Sequence, residues 1–149
     1  MQSENGIFTT PISIRWADLD ANFHLRHSVY FDFGAQQRLD VFNNMGLTLE
    51  LMREQHIGPV LLREECVFRR EIRLNDHVVI TMKLAKVSAD GARWTIQHEF
   101  LSMNQKLLAS ITVDGGWIDT RLRKFAATTP HIVKEVFDRV PRSASFTES

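Results

Sequence analysis

Residues 28–44, SVYFDFGAQQRLDVFNN, carry the pattern that decides the fold. Apolar side chains recur there at helical intervals of three or four, and further apolar positions widen the stripe around the helix. These residues are Phe31, Ala35, Leu39 and Phe42, widened by Tyr30, Phe33, Gly34 and Val41. Ser28 is a suitable N-cap and Gly46 a suitable C-terminal stop. A helix that is apolar over so much of its circumference is expected to be wrapped by other elements.

Alternating apolar residues after this helix predict the wrapping material. They predict strands at roughly residues 59–73, 77–88, 93–103 and 106–120. The link Asp90-Gly91 is typical of a tight antiparallel turn. One long helix followed by consecutive hairpin strands indicates an α+β fold, in which an antiparallel sheet curls around the helix.

Shorter segments complete the predicted layout. A short first strand is predicted at residues 12–16, ISIRW. A second helix is predicted at residues 47–56, LTLELMREQH, and a closing helix at residues 128–140, TTPHIVKEVFDRV. Residues 1–140 are expected to form one domain. Residues 141–149 are small, polar and short of core-forming side chains, and they are expected to be a disordered tail.

Charge and composition argue against some classes of function for this protein. The 149 residues contain 18 Lys and Arg and 18 Asp and Glu, so the formal net charge is zero. This balance argues against a nucleic-acid-binding surface and against attachment to an anionic membrane, and it favours self-association. The N-terminus lacks the pattern of a secretory signal, and a cytoplasmic protein is expected. The single cysteine, Cys66, leaves no intrachain disulfide and is expected to be a packed thiol.

Polar residues are concentrated in the loop that enters the central helix. Five of the ten residues from 18 to 27 are Asp, Asn or His: Asp18, Asp20, Asn22, His24 and His27. The N-terminus of a helix presents free N–H groups and the positive end of a dipole, which stabilise a developing oxyanion. A carboxylate beside it can act as a general base or as a nucleophile.

These residues also have interpretations other than catalysis. Asp18 or Asp20 could simply accept backbone N–H bonds in a turn, and Asn22 is a common turn residue. His24 and His27 could bind a metal together with Asp20. No distant third ligand is evident, so no metal site is predicted. The other histidines, His98 among them, are expected to be surface or hydrogen-bonded structural groups.

RWADLDANFHLRHSVYFDFGAQQRLDVF, residues 15–42, resembles the start of hot-dog fold acyl-CoA thioesterases of the 4-hydroxybenzoyl-CoA thioesterase type. In this resemblance Asp20 matches the catalytic aspartate, and His27 matches the helix-start residue whose N–H polarises the thioester carbonyl. Asn22 and His24 match the Asn-x-His spacing of acyl-carrier-protein thioesterases. Phe23 stands where the family often has a small residue.

The resemblance, which covers roughly residues 10–125, implies a five-stranded hot-dog sheet around the helix and hydrolysis of an acyl-CoA, or of an acyl carrier protein thioester. No cofactor is implied, because coenzyme A is part of the substrate. A homodimer or homotetramer is implied, with the active site at the subunit interface and residues 58–62 contributed by the neighbouring subunit. Contacts to the substrate are implied for Trp16, Phe23, Tyr30, Pro59 and Val60. The phosphates of coenzyme A could contact basic side chains, which could otherwise be solvated charges of the strands: Arg69, Arg70, Arg121, Arg123 and Lys124.

Two other functional classes remain open at this point. A hot-dog hydratase or dehydratase acting on enoyl thioesters also pairs an aspartate with a histidine, but with histidine five residues after aspartate. Here His24 follows Asp20 by four. A non-catalytic acyl-thioester-binding subunit would bind coenzyme A derivatives without turnover.

Overall fold

The helix predicted at residues 28–44 is α2, His27–Asn44, in a computed structural model that describes residues 4–149. The remaining elements are α1 Glu4–Ile7, β1 Thr9–Pro11, a single 3-10 turn Trp16–Asp18, α3 Leu49–Glu54, β2 Ile57–Phe68, β3 Val78–Val87, β4 Arg93–Ser102, β5 Leu107–Asp119, β6 Lys124–Phe125, α4 His131–Arg139 and β7 Arg142–Glu148. The four long strands and the three longer helices confirm the predicted order of elements.

The two ends of α2 were predicted with different success. The N-cap is Arg26, two residues before the predicted Ser28, because the N–H of Arg26 bonds the carbonyl of Asp18 at 2.7 Å and fixes the chain there. The Ser28 hydroxyl instead accepts a hydrogen bond from the Arg26 guanidinium at 3.1 Å. The predicted stop at Gly46 is confirmed: its φ is +92°, a left-handed conformation that glycine adopts without strain.

The strands form one sheet in the order β1-β3-β4-β5-β2, in which every neighbouring pair is antiparallel. This core is the predicted five-stranded sheet of an α+β fold, curled around the helix. Two short strands extend it beyond the prediction, since β6 pairs with β5 and β7 pairs in parallel with β3. Within the described chain, β2 pairs with β5 on one side and with no strand on the other.

Two segments differ from the sequence prediction. The first strand is Thr9–Pro11, not ISIRW, because the backbone N–H and the guanidinium of Arg15 both bond the Asp18 carboxylate and turn the chain. The tail, predicted to be disordered, contains β7. The N–H of Leu84 bonds the carbonyl of Pro141 at 2.8 Å, so β3 holds this segment through backbone hydrogen bonds that side-chain composition does not signal.

Aromatic packing closes the core at the far end of α2. The ring of Phe42 lies 5.7 Å from that of Trp117 and 6.0 Å from that of Phe137 on α4. All three side chains are buried, so α4 covers the end of the sheet that α2 leaves open. None of the helices in the described part of the chain has the length and hydropathy that crossing a bilayer requires.

A buried polar network joins α2 to the middle of the sheet. His98 on β4 has no exposed surface, and its Nδ1 lies 2.8 Å from the Gln37 side-chain oxygen and 3.2 Å from the Thr81 carbonyl. Its Nε2 lies 3.0 Å from the Arg38 guanidinium, which can only donate. His98 is therefore neutral with its proton on Nδ1. This agrees with the prediction that it is a hydrogen-bonded structural histidine.

Candidate active site

The loop before α2 is held in place by its own side chains. Asp18 is buried and accepts hydrogen bonds from the backbone and the guanidinium of Arg15, which hold the pKa of this carboxyl below its usual value. Leu19 and Leu25 form an isolated antiparallel bridge across the loop. Asp18 is therefore part of the scaffold that presents Asp20.

Asp20 begins a tight turn and also fixes it. Its Oδ1 accepts the N–H of Asn22 at 2.8 Å and that of His24 at 3.1 Å. Its own N–H bonds the His24 carbonyl at 2.8 Å. The turn interpretation of Asp20 is thus correct for one carboxylate oxygen. The other, Oδ2, has no hydrogen-bond partner among residues 4–149 and remains available for chemistry.

Phe23, at the tip of this turn, explains why a small residue is common at its position. Its φ is +63°, a left-handed conformation in which a bulky side chain is strained. The side chain is 65% exposed and lies 6.3 Å, between ring centroids, from Trp16, which is 70% exposed. These two aromatic residues form an exposed pair beside the Asp20 turn.

The first residue of α2 supplies a backbone donor. The N–H of His27 has no acceptor within the described residues, as expected for the first turn of a helix. It therefore combines an unsatisfied hydrogen-bond donor with the positive end of the helix dipole.

An open cavity of about 840 Å³ brings these groups together. It lies between the Asp20 turn, the start of α2, the segment after β2, and the β4–β5 hairpin. Its lining consists of Asp20, His24, Leu25, His27, Tyr30, Phe68, Arg69, Arg70, Glu71, Arg73, Asp76, Ser102, Asn104, Lys106 and Leu108. Four of the residues selected from the sequence, Asp20, His24, His27 and Tyr30, thus share one cavity.

The other selected residues lie outside this cavity within one chain. Asn22 contributes its N–H to Asp20, while Trp16 and Phe23 lie on the exterior. Pro59 and Val60 are at the opposite end of β2, where Pro59 lines a separate, largely apolar cavity of about 230 Å³ with residues of α2 and α3.

Burial determines the protonation of two further groups. Burial first, and then the nearby Cys66 and Asp20, raise the pKa of Tyr30 to about 12, so its hydroxyl keeps its proton at neutral pH. Burial also raises the pKa of the Cys66 thiol to about 11, with a smaller contribution from Glu64. A protonated thiol is a poor nucleophile, in agreement with the prediction that Cys66 is a packed side chain.

Sequence reasoning missed three charged residues that follow β2 and line the cavity, Glu71, Arg73 and Asp76. Glu71 lies 3.1 Å from the imidazole of His24, and Arg73 forms an isolated bridge with the backbone of the same histidine. Arg69 and Arg70 line the cavity as proposed for phosphate contacts, joined by Lys106; Arg121, Arg123 and Lys124 do not line it. No group of three or more potential metal ligands occurs among the described residues.

Solved structures with the same architecture identify the fold of this protein. A hypothetical protein from Staphylococcus aureus, solved in complex with CoA, gives a TM-score of 0.81 at 16% identity, over 92% of this chain and 87% of that one. A 1,4-dihydroxy-2-naphthoyl-CoA thioesterase from Synechocystis gives 0.77 at 16% identity, over 88% and 95%. The probable thioesterase YbaW from Escherichia coli gives 0.77 at 21%, over 89% and 98%. The fold is the hot-dog fold.

The family follows from the sequence match. Residues 14–136 match the family described as the thioesterase-like superfamily, and the chain belongs to this family. The resemblance noted at residues 15–42 is thereby confirmed. No curated protein is similar enough in sequence to give a match.

Proposed function

We propose that this protein hydrolyses the thioester of an acyl-CoA to the free acid and coenzyme A. The observation that carries this proposal is that the free Oδ2 of Asp20 and the first N–H of α2 belong to residues lining one cavity. A base and an oxyanion donor beside each other are the two groups that acyl transfer to water requires.

The N–H of His27 binds the thioester oxygen and stabilises the negative charge that develops there. Asp20 Oδ2 takes a proton from water as the water oxygen bonds to the carbonyl carbon. The carbon–sulfur bond then breaks, Asp20 returns the proton to the departing sulfur, and coenzyme A leaves as the thiol. In the alternative, Asp20 attacks the carbonyl carbon itself and expels the coenzyme A thiolate, and water then hydrolyses the resulting anhydride. Asn22 and His24 hold Asp20 in position through their backbone N–H groups.

Cationic side chains around this cavity support coenzyme A as the thiol part of the substrate. Arg69, Arg70 and Lys106 line it, and cationic side chains bind phosphate groups. The Staphylococcus aureus structure with CoA supports the same choice. We assign the acyl group to the apolar wall of Tyr30 and Phe68, whose rings are 4.9 Å apart.

A second copy of the chain is proposed to complete the site. The free edge of β2 exposes Leu61, Leu62, Val67 and Phe68 by 40–56%. An unpaired strand with exposed apolar side chains is suited to edge-to-edge pairing. Antiparallel pairing of two β2 strands would bring Pro59 and Val60 of one copy towards the Phe68 end of the other. Analytical ultracentrifugation tests this assembly, and a monomer at micromolar concentration would contradict it.

Thiol release from a panel of aliphatic and aromatic acyl-CoAs tests the activity. Asp20→Asn is the informative variant, because an amide oxygen can still accept both turn N–H groups but cannot take a proton. We expect its kcat to fall by about 10²–10⁴-fold with unchanged thermal stability. Asp32→Asn is the control, since Asp32 is an exposed carboxylate of α2 that does not line the cavity.

Each alternative predicts a different result. Full activity of Asp20→Asn would exclude Asp20 as base or nucleophile. Loss of enoyl absorbance without thiol release would identify a hydratase. Binding of coenzyme A derivatives without turnover of any substrate would identify a binding subunit. Incorporation of ¹⁸O into Asp20 during a single turnover in labelled water would identify Asp20 as the nucleophile, because a general base does not acquire the label.

A further inference from the structure

We infer that a second copy of this chain pairs its β2 antiparallel to β2 in one particular register, with Glu64 on the twofold axis and Arg63 of each copy opposite the partner's Glu65. The assembly itself is part of the proposed function, whereas the register is a separate inference from the side chains of β2.

The face of β2 that is turned towards α2 is identified by contacts within one chain. Glu64 Oε2 lies 3.7 Å from Arg38 Nη2, and the ring of Phe68 lies 4.9 Å from that of Tyr30. Because strand side chains alternate, Cys66 shares this face with Glu64 and Phe68.

The opposite face of β2 has charged side chains of both signs. The side chains of Arg63 and Glu65 are 69% and 51% exposed and form an ion pair with each other. Val67 follows on the same face and is 40% exposed. A cation and an anion two residues apart on one exposed face make this strand able to complement a second copy of itself.

Symmetry limits the registers in which this edge can pair with itself. Two identical strands that pair antiparallel are related by a twofold axis perpendicular to the sheet, so opposed side chains share a face and one residue lies opposite itself. Centring on Arg63 or on Glu65 places two like charges opposite each other, and centring on Cys66 places Glu65 opposite the partner's Val67. Only centring on Glu64 places Arg63 opposite the partner's Glu65, once on each side of the axis.

The charges at the axis are balanced in this register. Two Glu64 carboxylates directly opposite each other would by themselves destabilise the pair. Each, however, has its own Arg38 at 3.7 Å, a buried cation that also contacts the neutral His98 at 3.0 Å. Two carboxylates and two guanidinium groups therefore meet at the axis with no net charge.

The bulge of β2 keeps the two faces matched further from the axis. β2 has one residue more than β5 between Leu61 and Arg63. With that residue skipped, Leu61 is opposite the partner's Cys66 and Pro59 is opposite the partner's Phe68. All of these face α2, since Leu61 and Pro59 line the apolar cavity beside α2 and α3. Phe68 lines the candidate active-site cavity, so the register brings Pro59 to the other copy's site, a role that rests on the proposed function.

Disulfide cross-linking tests the register without reference to activity. Arg63→Cys and Glu65→Cys are prepared separately in a Cys66→Ala background, mixed so that subunits exchange, and oxidised. We expect a cross-linked dimer from the mixture, because directly opposed residues are about 5 Å apart between Cα atoms. Each variant alone should give about a tenth of that yield or less, because its two cysteines are then about 8 Å apart. Efficient cross-linking of either variant alone, or none in the mixture, would overturn the inference.

Charge reversal tests the register in a chain that keeps its cysteine. Arg63→Glu and Glu65→Arg should each raise the dimer dissociation constant, measured by sedimentation, by about 5–30-fold, and the double reversal should return it to within about 3-fold of the wild type. Lys83→Glu is the control, because Lys83 on β3 pairs at 3.9 Å with Glu99 on β4 of the same chain, and it should leave this constant unchanged.

The outcomes separate the register from the proposed function. A double reversal that dimerises as weakly as either single variant would overturn the register. A wild type that stays monomeric would overturn both the register and the assembly. A wild-type dimer that cross-links as expected but releases no thiol from any acyl-CoA would refute the proposed hydrolysis and leave the register supported.

Discussion

Acidification should destabilise this protein through His98, and replacing that residue should remove the effect. Burial first, and then the neighbouring Arg38 charge, lower the pKa of His98 to about 3, against a small opposing effect of the Thr81 carbonyl. The unfolded chain binds this proton near pH 6.5, whereas the folded chain does not. The unfolded state therefore binds more protons as the pH falls below 6.5, and the free energy of unfolding decreases.

The magnitude follows from these two pKa values. Between pH 7 and pH 4.5 the His98 contribution to the free energy of unfolding should fall by about 2.5 kcal/mol. Raising the folded pKa by one unit changes this figure by only about 0.1 kcal/mol, because the folded protein remains unprotonated at pH 4.5. Carboxylates also titrate in this range, but they are common to the wild type and to a His98 variant.

The comparison is between the wild type and His98→Gln at pH 7, 5.5 and 4.5. Glutamine can still accept from Arg38 and donate to Gln37, but it has no proton to bind. Urea unfolding is followed by the fluorescence of the buried Trp94 and Trp117 at one protein concentration. His131→Gln, at a residue whose side chain is 80% exposed, is the control. If the wild type and His98→Gln lose stability in parallel, within about 0.5 kcal/mol, the pKa reasoning is refuted.

Two further predictions concern stability. Gly115→Ala should destabilise the fold by about 2–3 kcal/mol, because an added Cβ would lie 2.7 Å from the Val60 carbonyl oxygen and 2.6 Å from Trp94 Cζ2. Gly58→Ala is the control, since the nearest atom to its added Cβ is Thr120 Cγ2 at 3.3 Å. Equal losses of stability in urea unfolding would contradict the packing argument. Asp18→Asn should cost about 1 kcal/mol at neutral pH. The pKa of Asp18 is lower in the folded protein than in the unfolded chain. Its contribution to the free energy of unfolding is therefore complete above the unfolded pKa and is lost as the pH falls through the folded pKa. The stability difference between Asp18→Asn and the wild type should shrink below about pH 4. A difference that does not depend on pH in thermal unfolding would show that the Arg15 contact adds nothing through charge.

The sequence predicted the elements that depend on local periodicity. α2 and the strands β3, β4 and β5 were placed within one or two residues, because each has a buried face whose spacing is readable along the chain. The strand after α3 was predicted to run to residue 73 but ends at Phe68. Apolar and charged residues are mixed in a similar way on both sides of that point, so the pattern did not mark the end of the strand.

Some residues of the candidate site could also be predicted, because they are close together along the sequence. Asp20, His24 and His27 are close in sequence at the start of a helix, and any fold with this loop keeps them near one another. Their roles in catalysis remain predictions. The turn hydrogen bonds that occupy one oxygen of Asp20 follow from the same short range, since acceptor and donors are two and four residues apart.

By itself, then, the sequence determined the central helix, the antiparallel strands around it and the acidic turn at its start, because each depends on residues a few positions apart. Only the tertiary structure placed Glu71 beside His24, Arg38 beside His98, and β7 on β3. These contacts join distant parts of the chain. They arise from backbone hydrogen bonds and sheet register, which no local pattern of side chains records.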